Sequence, residues 1–216
     1  IPDPGYEFLE VDLAQAESRI TAYLADDQAY IDAHEAGNTH VMCARVFWPD
    51  MEIPADDDAA KKFLKAKQVP WVVQTTPDEP AKSYYDVCKN RQHGFNYIRT
   101  ARSVAIMEGI KVAEAQRCLD AHFGRFPGIP RWHEVEKNML RTSGVQVNPL
   151  GFTRQFYGPA KDPHTIKEAV ANNPQSACSQ IACIGMWRVW DELDDNANFM
   201  LLQHNYDSFV AQVRGG

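Results

Sequence analysis

Two aspartates that lie far apart in the sequence point most directly to chemistry. Asp12 ends an apolar run that starts at Leu9 and leads into a predicted helix. Asp207 lies near the turn of a predicted hairpin close to the other end of the chain. Strands from distant parts of a chain can pair in one sheet, and two carboxylates at one sheet edge are ligands that suit Mg²⁺. The pair predicts a two-magnesium phosphoryl-transfer site.

Composition limits the classes of protein that can carry such a site. The chain has 216 residues, of which 44% are hydrophobic and 11% aromatic, which predicts one globular domain or two small ones. No apolar run approaches the ~18 residues of a membrane span, so we expect no membrane partner. The net charge of −7 does not by itself indicate a nucleic-acid binder. Five cysteines without metal-type spacing predict free thiols in a reducing, cytoplasmic setting (the host cytoplasm if the protein is viral), and nothing implies an oligomer.

The elements that must position these aspartates follow from hydrophobic periodicity and turn signals. We expect strands at 6–12 and within 145–157, and a terminal hairpin over 199–212. We expect helices at 14–35 with a break near 25–27, at 40–47, at 59–67, at 81–109 with a weak point at Gly94, at 111–123 and 130–141, and at 165–193 with an interruption at Pro174. Residues 69–76 are ambiguous, and Pro77 and Pro80 predict a connector. The order predicts an α+β fold with a small antiparallel sheet. The five tryptophans are predicted to be core anchors, and the last two have helical spacing: Trp48, Trp71, Trp132, Trp187 and Trp190.

The residues after Asp12 resemble motif A of family A, or polymerase I-type, DNA polymerases. That motif runs Asp, two residues, Gln, one residue, Glu, one residue, Arg, and all four are present as Asp12, Gln15, Glu17 and Arg19. The resemblance covers most of the chain and returns in the segments 21–27, 37–40, 121–129, 151–154 and 173–176. It implies a polymerase palm with a small antiparallel sheet plus a helical fingers subdomain. The palm is expected at 1–62 and 145–216, the fingers at 63–144, and the whole as part of a longer protein.

The resemblance also implies how the aspartates act. Asp12, Asp207 and the backbone carbonyl of Leu13 are expected to hold two Mg²⁺ ions, with Mn²⁺ as a substitute. The two aspartates are then catalytic in nucleotidyl transfer from a dNTP to a primer 3′-hydroxyl. Family members commonly have His-Asp-Glu at the hairpin, where this chain has Tyr206-Asp207-Ser208 and so lacks the second carboxylate.

Further residues are implied for nucleotide and DNA binding. Glu17 is expected under the sugar of the incoming nucleotide, where it excludes a 2′-hydroxyl, and Gln15 and His40 are expected in the same dNTP site. For primer-template DNA, the resemblance implies Arg154 at the primer end and Gln175 at the minor groove. Tyr206, within the hairpin, is also expected to bind DNA.

The fingers helix allows two registers. The family pattern is Arg, three residues, Lys, three residues, Phe or Tyr, three residues, Tyr-Gly, which places these groups on one helix face. In the first register, Lys89, His93 and Tyr97 keep that spacing and are expected to bind the dNTP. Lys89 is then also expected to be catalytic, as the general acid that protonates the leaving pyrophosphate. In this register Tyr85 replaces the arginine and Ile98 replaces the glycine. In the shifted register Lys89 replaces the arginine, His93 the lysine and Tyr97 the Phe or Tyr. We prefer the first, because it keeps the lysine and matches a His-Gly-x-Asn-Tyr pattern of phage-type members.

The sequence therefore predicts a DNA-templated DNA polymerase fragment whose partners are primer-template DNA and dNTPs. Two other interpretations stay open. A catalytically degenerate palm-like module that binds nucleic acid or a partner protein would suit the replacements at Ser208, Tyr85 and Ile98. A metal-dependent nuclease would use the same aspartates, although hydrolysis has no use for the fingers pattern.

Overall fold

The computed structural model describes residues 1–71, 82–193, 196 and 198–215. Its helices are α1 (Ala16–Leu24), α2 (Gln28–Glu35), α3 (Thr39–Phe47), α4 (Asp57–Ala66), α5 (Tyr84–Asn96), α6 (Ala101–Glu108), α7 (Val112–Arg125), α8 (Gly128–Thr142) and α9 (Pro163–Leu193). Its strands are β1 (Tyr6–Asp12), β2 (Val145–Val147), β3 (Thr153–Gln155), β4 (Phe199–Asn205) and β5 (Ser208–Arg214). The predicted α+β class is confirmed, with small antiparallel sheets beside many helices.

The chain divides into two compact units. The sheet unit comprises Ile1–Ile20 and Met139–Gly216, and the helical unit comprises Thr21–Asn138. The assignment of palm to 1–62 and 145–216, and of fingers to 63–144, stays a prediction.

The sheet unit is organised around β5, which pairs with a strand on each side. The order is β1-β5-β4, all antiparallel, with Tyr6 opposite Arg214 and Asp12 opposite Ser208. β2 and β3 form a separate two-stranded sheet, and α9 packs against β2, β4 and β5. Because β5 is hydrogen-bonded on both edges, its register determines which residues of β1 lie beside the β4–β5 turn.

The helical unit packs α3, α5 and α7 around an aromatic core. Phe47, Phe95 and Phe126 are buried there, together with His122. Arg91 of α5 is also fully buried, because its guanidinium pairs with Glu108 and lies 5.2 Å from the centre of the Trp48 ring. Arg91 therefore serves the packing of this unit rather than an exposed basic surface.

Two helix predictions can be compared with the structure. The break expected near 25–27 is confirmed: Asp26 has a φ of +46°, and Asp27 caps α2 by accepting a 3.1 Å hydrogen bond from the Tyr30 amide. The single helix expected over 81–109 is wrong for its described part. It is two helices, because Ile98 has a φ of +58° and Thr100 caps a new helix.

Two expectations at α9 are also wrong. The helix is not interrupted at Pro174, although an interior proline costs about 3 kcal/mol. Residues on both sides of Pro174 are buried, and tertiary packing is the main source of helix stability in proteins. Trp187 and Trp190 are not core anchors, since they are 57% and 46% exposed.

The connector predicted at Pro77 and Pro80, the ambiguous residues 72–76 and the expected helix start at 81 lie outside the described residues. Within the part of the chain that the structure covers, no helix combines the length and apolar character needed to cross a membrane.

Candidate active site

The two aspartates that the sequence singled out are brought together in the sheet unit. Asp12 is the last residue of β1 and lies opposite Ser208, the first residue of β5. The pairing continues one step beyond the strands, where the Leu13 amide donates a 3.0 Å hydrogen bond to the Asp207 carbonyl. Asp12, Leu13 and Asp207 are therefore neighbours at one end of the sheet.

The turn between β4 and β5 consists of Tyr206 and Asp207. Tyr206 has a φ of +55°, a backbone region that large residues rarely occupy and that costs of order 1–3 kcal/mol. The Ser208 hydroxyl donates a 3.3 Å hydrogen bond to the Asn205 carbonyl across the turn. The hairpin thus holds Asp207 at its tip in a defined backbone conformation.

The start of α1 carries the predicted nucleotide-site residues toward the same place. Gln15 has a φ of +54°, and the Ala16 and Arg19 amides donate to the Leu13 and Gln15 carbonyls. Glu17 lies in the first turn of α1, and its Oε1 accepts a hydrogen bond from the Tyr206 hydroxyl. Burial and the neighbouring Glu17 carboxylate raise the pKa of Tyr206 well above its usual value.

A buried thiol that sequence reasoning missed lies beside these carboxylates. Burial first, and then the negative charges of Asp207, Glu17 and Asp12, raise the pKa of Cys178 in α9 to about 12. The thiol is therefore neutral and faces an acidic cluster. The available signal was its position, three residues after Gln175.

A further carboxylate approaches the position where the hairpin lacks one. Ser208 is buried, and its hydroxyl lies 3.5 Å from Oε1 of Glu10 in β1. Glu10 and Asp12 alternate with Val11 along the strand and so share a face of the sheet. Sequence reasoning also missed Glu10, which looked like an ordinary strand residue.

The predicted DNA-binding arginine is engaged within the sheet unit. The Arg154 guanidinium of β3 donates a 3.2 Å hydrogen bond to Asn172 and lies 3.7 Å from a Glu168 oxygen. Its carbon Cζ lies 4.8 Å from the centre of the Phe156 ring. Arg154 is thus tied to α9 and its own strand, and Gln175 is a partly exposed residue of α9.

The predicted fingers residues lie at α5 of the helical unit. Lys89 and His93 are exposed and four residues apart, as a common helix face requires. Tyr97 is buried and caps the C-terminal end of α5, so it lies just outside the helix. Its ring packs edge-on against the His93 ring, with 4.8 Å between the two ring centres.

His40 of α3 lies against the same helix. Its Nδ1 is 2.6 Å from Gln92 Oε1, and its ring contacts that of Tyr85 edge-on at 5.5 Å. Burial lowers the pKa of His40, the hydrogen bond with Gln92 raises it, and the positive charges of Lys89, Lys61 and His93 lower it.

Comparisons with known proteins agree on one kind of relative. The chain is 27% identical over 157 residues to a DNA polymerase I of Pseudomonas aeruginosa, covering 72% of this chain and 14% of the relative. It is 22% identical over 213 residues to a DNA polymerase I of Helicobacter pylori, covering 96% of this chain and 21% of the relative. The DNA polymerase I of a second Helicobacter pylori strain is 23% identical over 167 residues, covering 73% of this chain and 18% of the relative. The chain resembles DNA polymerase I.

A solved structure shows the same fold as this polymerase I-like chain. It is the POL domain of Pol1 from M. smegmatis in complex with DNA primer-template and dNTP, with a TM-score of 0.75 and 20% identity. The match covers 98% of this chain and 34% of that one. No protein-family model matches the sequence. The chain thus spans between about a seventh and a fifth of the length of the curated polymerase I relatives.

The donor set at the sheet end fits a divalent cation shared with a substrate. Among the described residues no three His, Cys, Asp or Glu side chains are grouped so that they alone could hold a metal ion. Mg²⁺, however, is usually held by one or two carboxylates together with substrate phosphates and water. Asp12 and Asp207 provide two such carboxylates. Among the described residues, the Leu13 carbonyl accepts one hydrogen bond, of 3.3 Å from the Ala16 amide, so one of its lone pairs remains for a cation.

Proposed function

We propose that this chain is the palm and fingers part of a DNA polymerase that transfers a nucleotidyl group from a dNTP to a primer 3′-hydroxyl. The observation that carries the proposal is the sheet pairing that places Asp12 and Leu13 against Asp207. The similarity to DNA polymerase I along most of the chain supports the same reaction.

Asp12, Asp207 and the Leu13 carbonyl would hold two Mg²⁺ ions, or Mn²⁺ in their place. When bound, these ions supply charge neutralisation, a lowered pKa of the primer hydroxyl and a hold on the triphosphate. The chain's own contribution is to present both carboxylates in a fixed arrangement, which the central strand β5 and the strained Tyr206 turn support.

The remaining roles belong to residues around nucleotide and DNA. Glu17, next to Gln15, would exclude a ribose 2′-hydroxyl. Lys89 would bind the triphosphate and protonate the leaving pyrophosphate, because an exposed ammonium on a helix face can reach an anion and donate to it. His40, His93 and Tyr97 would complete the dNTP site, and Arg154, Gln175 and Tyr206 would contact primer-template DNA.

Primer extension tests this proposal. The chain, joined to the thumb of a polymerase I relative, would be assayed with Mg²⁺, primer-template and four dNTPs. We expect Asp12→Asn and Asp207→Asn each to reduce extension by about 10³-fold or more, because each removes a carboxylate ligand. Asp191→Asn, which neutralises an exposed carboxylate of α9, is the matched control and should retain activity.

The same assay distinguishes the alternatives. Extension that survives both aspartate substitutions would exclude the two-metal site. A folded wild-type protein that binds DNA but does not extend primers would favour a degenerate palm-like module, for which Ser208 in place of a glutamate is the supporting observation. Shortening of DNA without dNTP would favour a nuclease.

A further inference from the structure

The position where the fingers pattern lacks its arginine is surrounded by other residues of the helical unit. Tyr85 occupies that position at the start of α5. Its ring contacts the His40 ring on one side, and Lys65 Nζ of α4 lies 5.3 Å from its ring centre. A cation over an aromatic face is attracted by the ring's negative face. Tyr85 therefore positions an ammonium group from a different helix near the place of the missing guanidinium.

Helix α4 presents two lysines because of how it packs. Ala60 and Leu64 are fully buried and four residues apart, and α4 contacts α5. Lys61 and Lys65 each follow one of these buried residues, so they share a helix face beside the contact with α5. Asp57 lies one turn earlier on that face, and its carboxylate forms a 2.9 Å ion pair with Arg45.

Lys61 of α4 and Lys89 of α5 both place their positive charge near His40. Both positive charges act on His40, although its lowered pKa results first from burial. The single carboxylate of α5, Asp86, is engaged in the capping box with Ser83. In the described ranges, none of Lys61, Lys65 and Lys89 forms an ion pair with a carboxylate. Ammonium groups that converge without an ion-pair partner repel one another, and a multiply charged anion would relieve that repulsion.

We propose that Lys61 and Lys65 of α4 bind the triphosphate of the incoming nucleotide together with Lys89, and replace the charge of the arginine that is absent at Tyr85. The ligand class is a polyphosphate anion, in particular a nucleoside triphosphate with Mg²⁺. This inference rests on the proposed function, because it assigns Lys89 to the same triphosphate. It adds a helix that the fingers motif does not include.

Calorimetric titration of the full chain with Mg²⁺-dATP, and separately with inorganic tripolyphosphate, tests the inference. Lys61→Gln and Lys65→Gln should each weaken binding of both probes about threefold, and the double variant about tenfold. The binding constant should also depend less steeply on salt. Lys62→Gln is the matched control, because it removes the same charge from an exposed position of the same helix. Circular dichroism and the unfolding midpoint establish that each variant is folded.

Each outcome decides a different point. If Lys89→Gln weakens binding while the Lys61 and Lys65 variants bind like wild type, the inference is wrong and the proposed function stands. If Lys62→Gln weakens binding as much as the other two, the effect is general attraction and the specific assignment is wrong. If the α4 variants lose affinity for duplex DNA but keep affinity for tripolyphosphate, these lysines contact a nucleic-acid backbone instead. If wild type binds neither probe, both the inference and the proposed triphosphate site fail.

Discussion

The Tyr206 hydroxyl donates a hydrogen bond to Glu17 Oε1, across a separation of 189 residues in the chain. Glu17 lies in the first turn of α1, and Tyr206 belongs to the turn that holds Asp207. The contact therefore connects the glutamate proposed to test the nucleotide sugar with the hairpin proposed to hold metal and primer.

Tyr206→Phe removes this hydrogen bond and keeps the ring. A hydrogen bond to a charged acceptor that is partly exposed contributes about 1 kcal/mol to holding its acceptor in place. We expect the preference for dNTP over rNTP incorporation to fall about fivefold, with a smaller change in kcat for dNTP. Tyr23→Phe, at an exposed tyrosine of α1, is the control. An unchanged dNTP/rNTP ratio would show that Tyr206 does not position Glu17.

Glu10 is expected to contribute negative charge to the metal site, because its carboxylate lies near Ser208 on the same face as Asp12. Glu10→Gln should weaken Mn²⁺ binding about threefold, measured by electron paramagnetic resonance without nucleotide. Glu7→Gln changes the opposite face of the same strand and is the matched control. Equal effects of the two substitutions would contradict a local role for Glu10.

The stability of the chain should decrease at mildly acidic pH because of buried histidines. Burial lowers the pKa of His122 to about 3, with a smaller effect of His133, whose own pKa is lowered to about 4 chiefly by burial. A histidine whose folded pKa is depressed takes up protons more readily when unfolded. Its stabilising contribution is thus complete above about pH 6.5 and is lost progressively as the pH falls toward 3.

Between pH 7 and pH 5 we expect His122 alone to reduce the free energy of unfolding by about 2 kcal/mol. His122→Phe should flatten this dependence. It should also be tolerated, because both ring nitrogens of His122 lack a hydrogen-bond partner in the described structure and the ring lies among Phe95, Phe123 and Phe126. Urea unfolding at several pH values measures the effect, and His164→Gln, at an exposed histidine, is the control. If the free energy of unfolding of His122→Phe depends on pH as steeply as that of the wild type, His122 is not the group responsible.

Nucleotide affinity should increase as the pH falls, if His40 contacts the triphosphate as proposed. Gln92 donates its Nε2 hydrogen to the Tyr30 hydroxyl, so its Oε1 faces His40 and fixes the ring proton on Nδ1. With its pKa lowered, His40 is neutral at pH 7 and has no proton on Nε2 to donate.

A bound triphosphate would favour protonation of His40, and binding would take up a proton. The Kd for Mg²⁺-dATP should therefore fall from pH 8 to pH 6, by at most about tenfold per pH unit. His40→Gln should lose this dependence. His93→Gln separates the contribution of the neighbouring histidine, whose charge also acts on His40. A pH dependence that persists in His40→Gln and disappears in His93→Gln would reassign the proton.

Much of the local structure could be predicted from the sequence, since the signals are local. The strand that ends at Asp12, the helix break at Asp26 and the hairpin around Asp207 follow from apolar runs and turn residues within a few positions. Two local signals misled. Pro174 does not end α9, because packing along the helix outweighs the lost hydrogen bond. The weak point predicted at Gly94 lies inside α5, and the break comes four residues later at Ile98, so the glycine did not locate it.

The sequence by itself determined which chemical groups are present and the order in which the strands and helices deliver them. Only the tertiary structure decided which further groups meet: Leu13 with Asp207, Glu17 with Tyr206, Glu10 with Ser208, and Lys65 with Tyr85. It also decided that Trp187 and Trp190 are exposed. The reason is physical. Residue type and local spacing are properties of the chain, whereas contacts between distant residues depend on sheet register and helix packing, which many residues determine together.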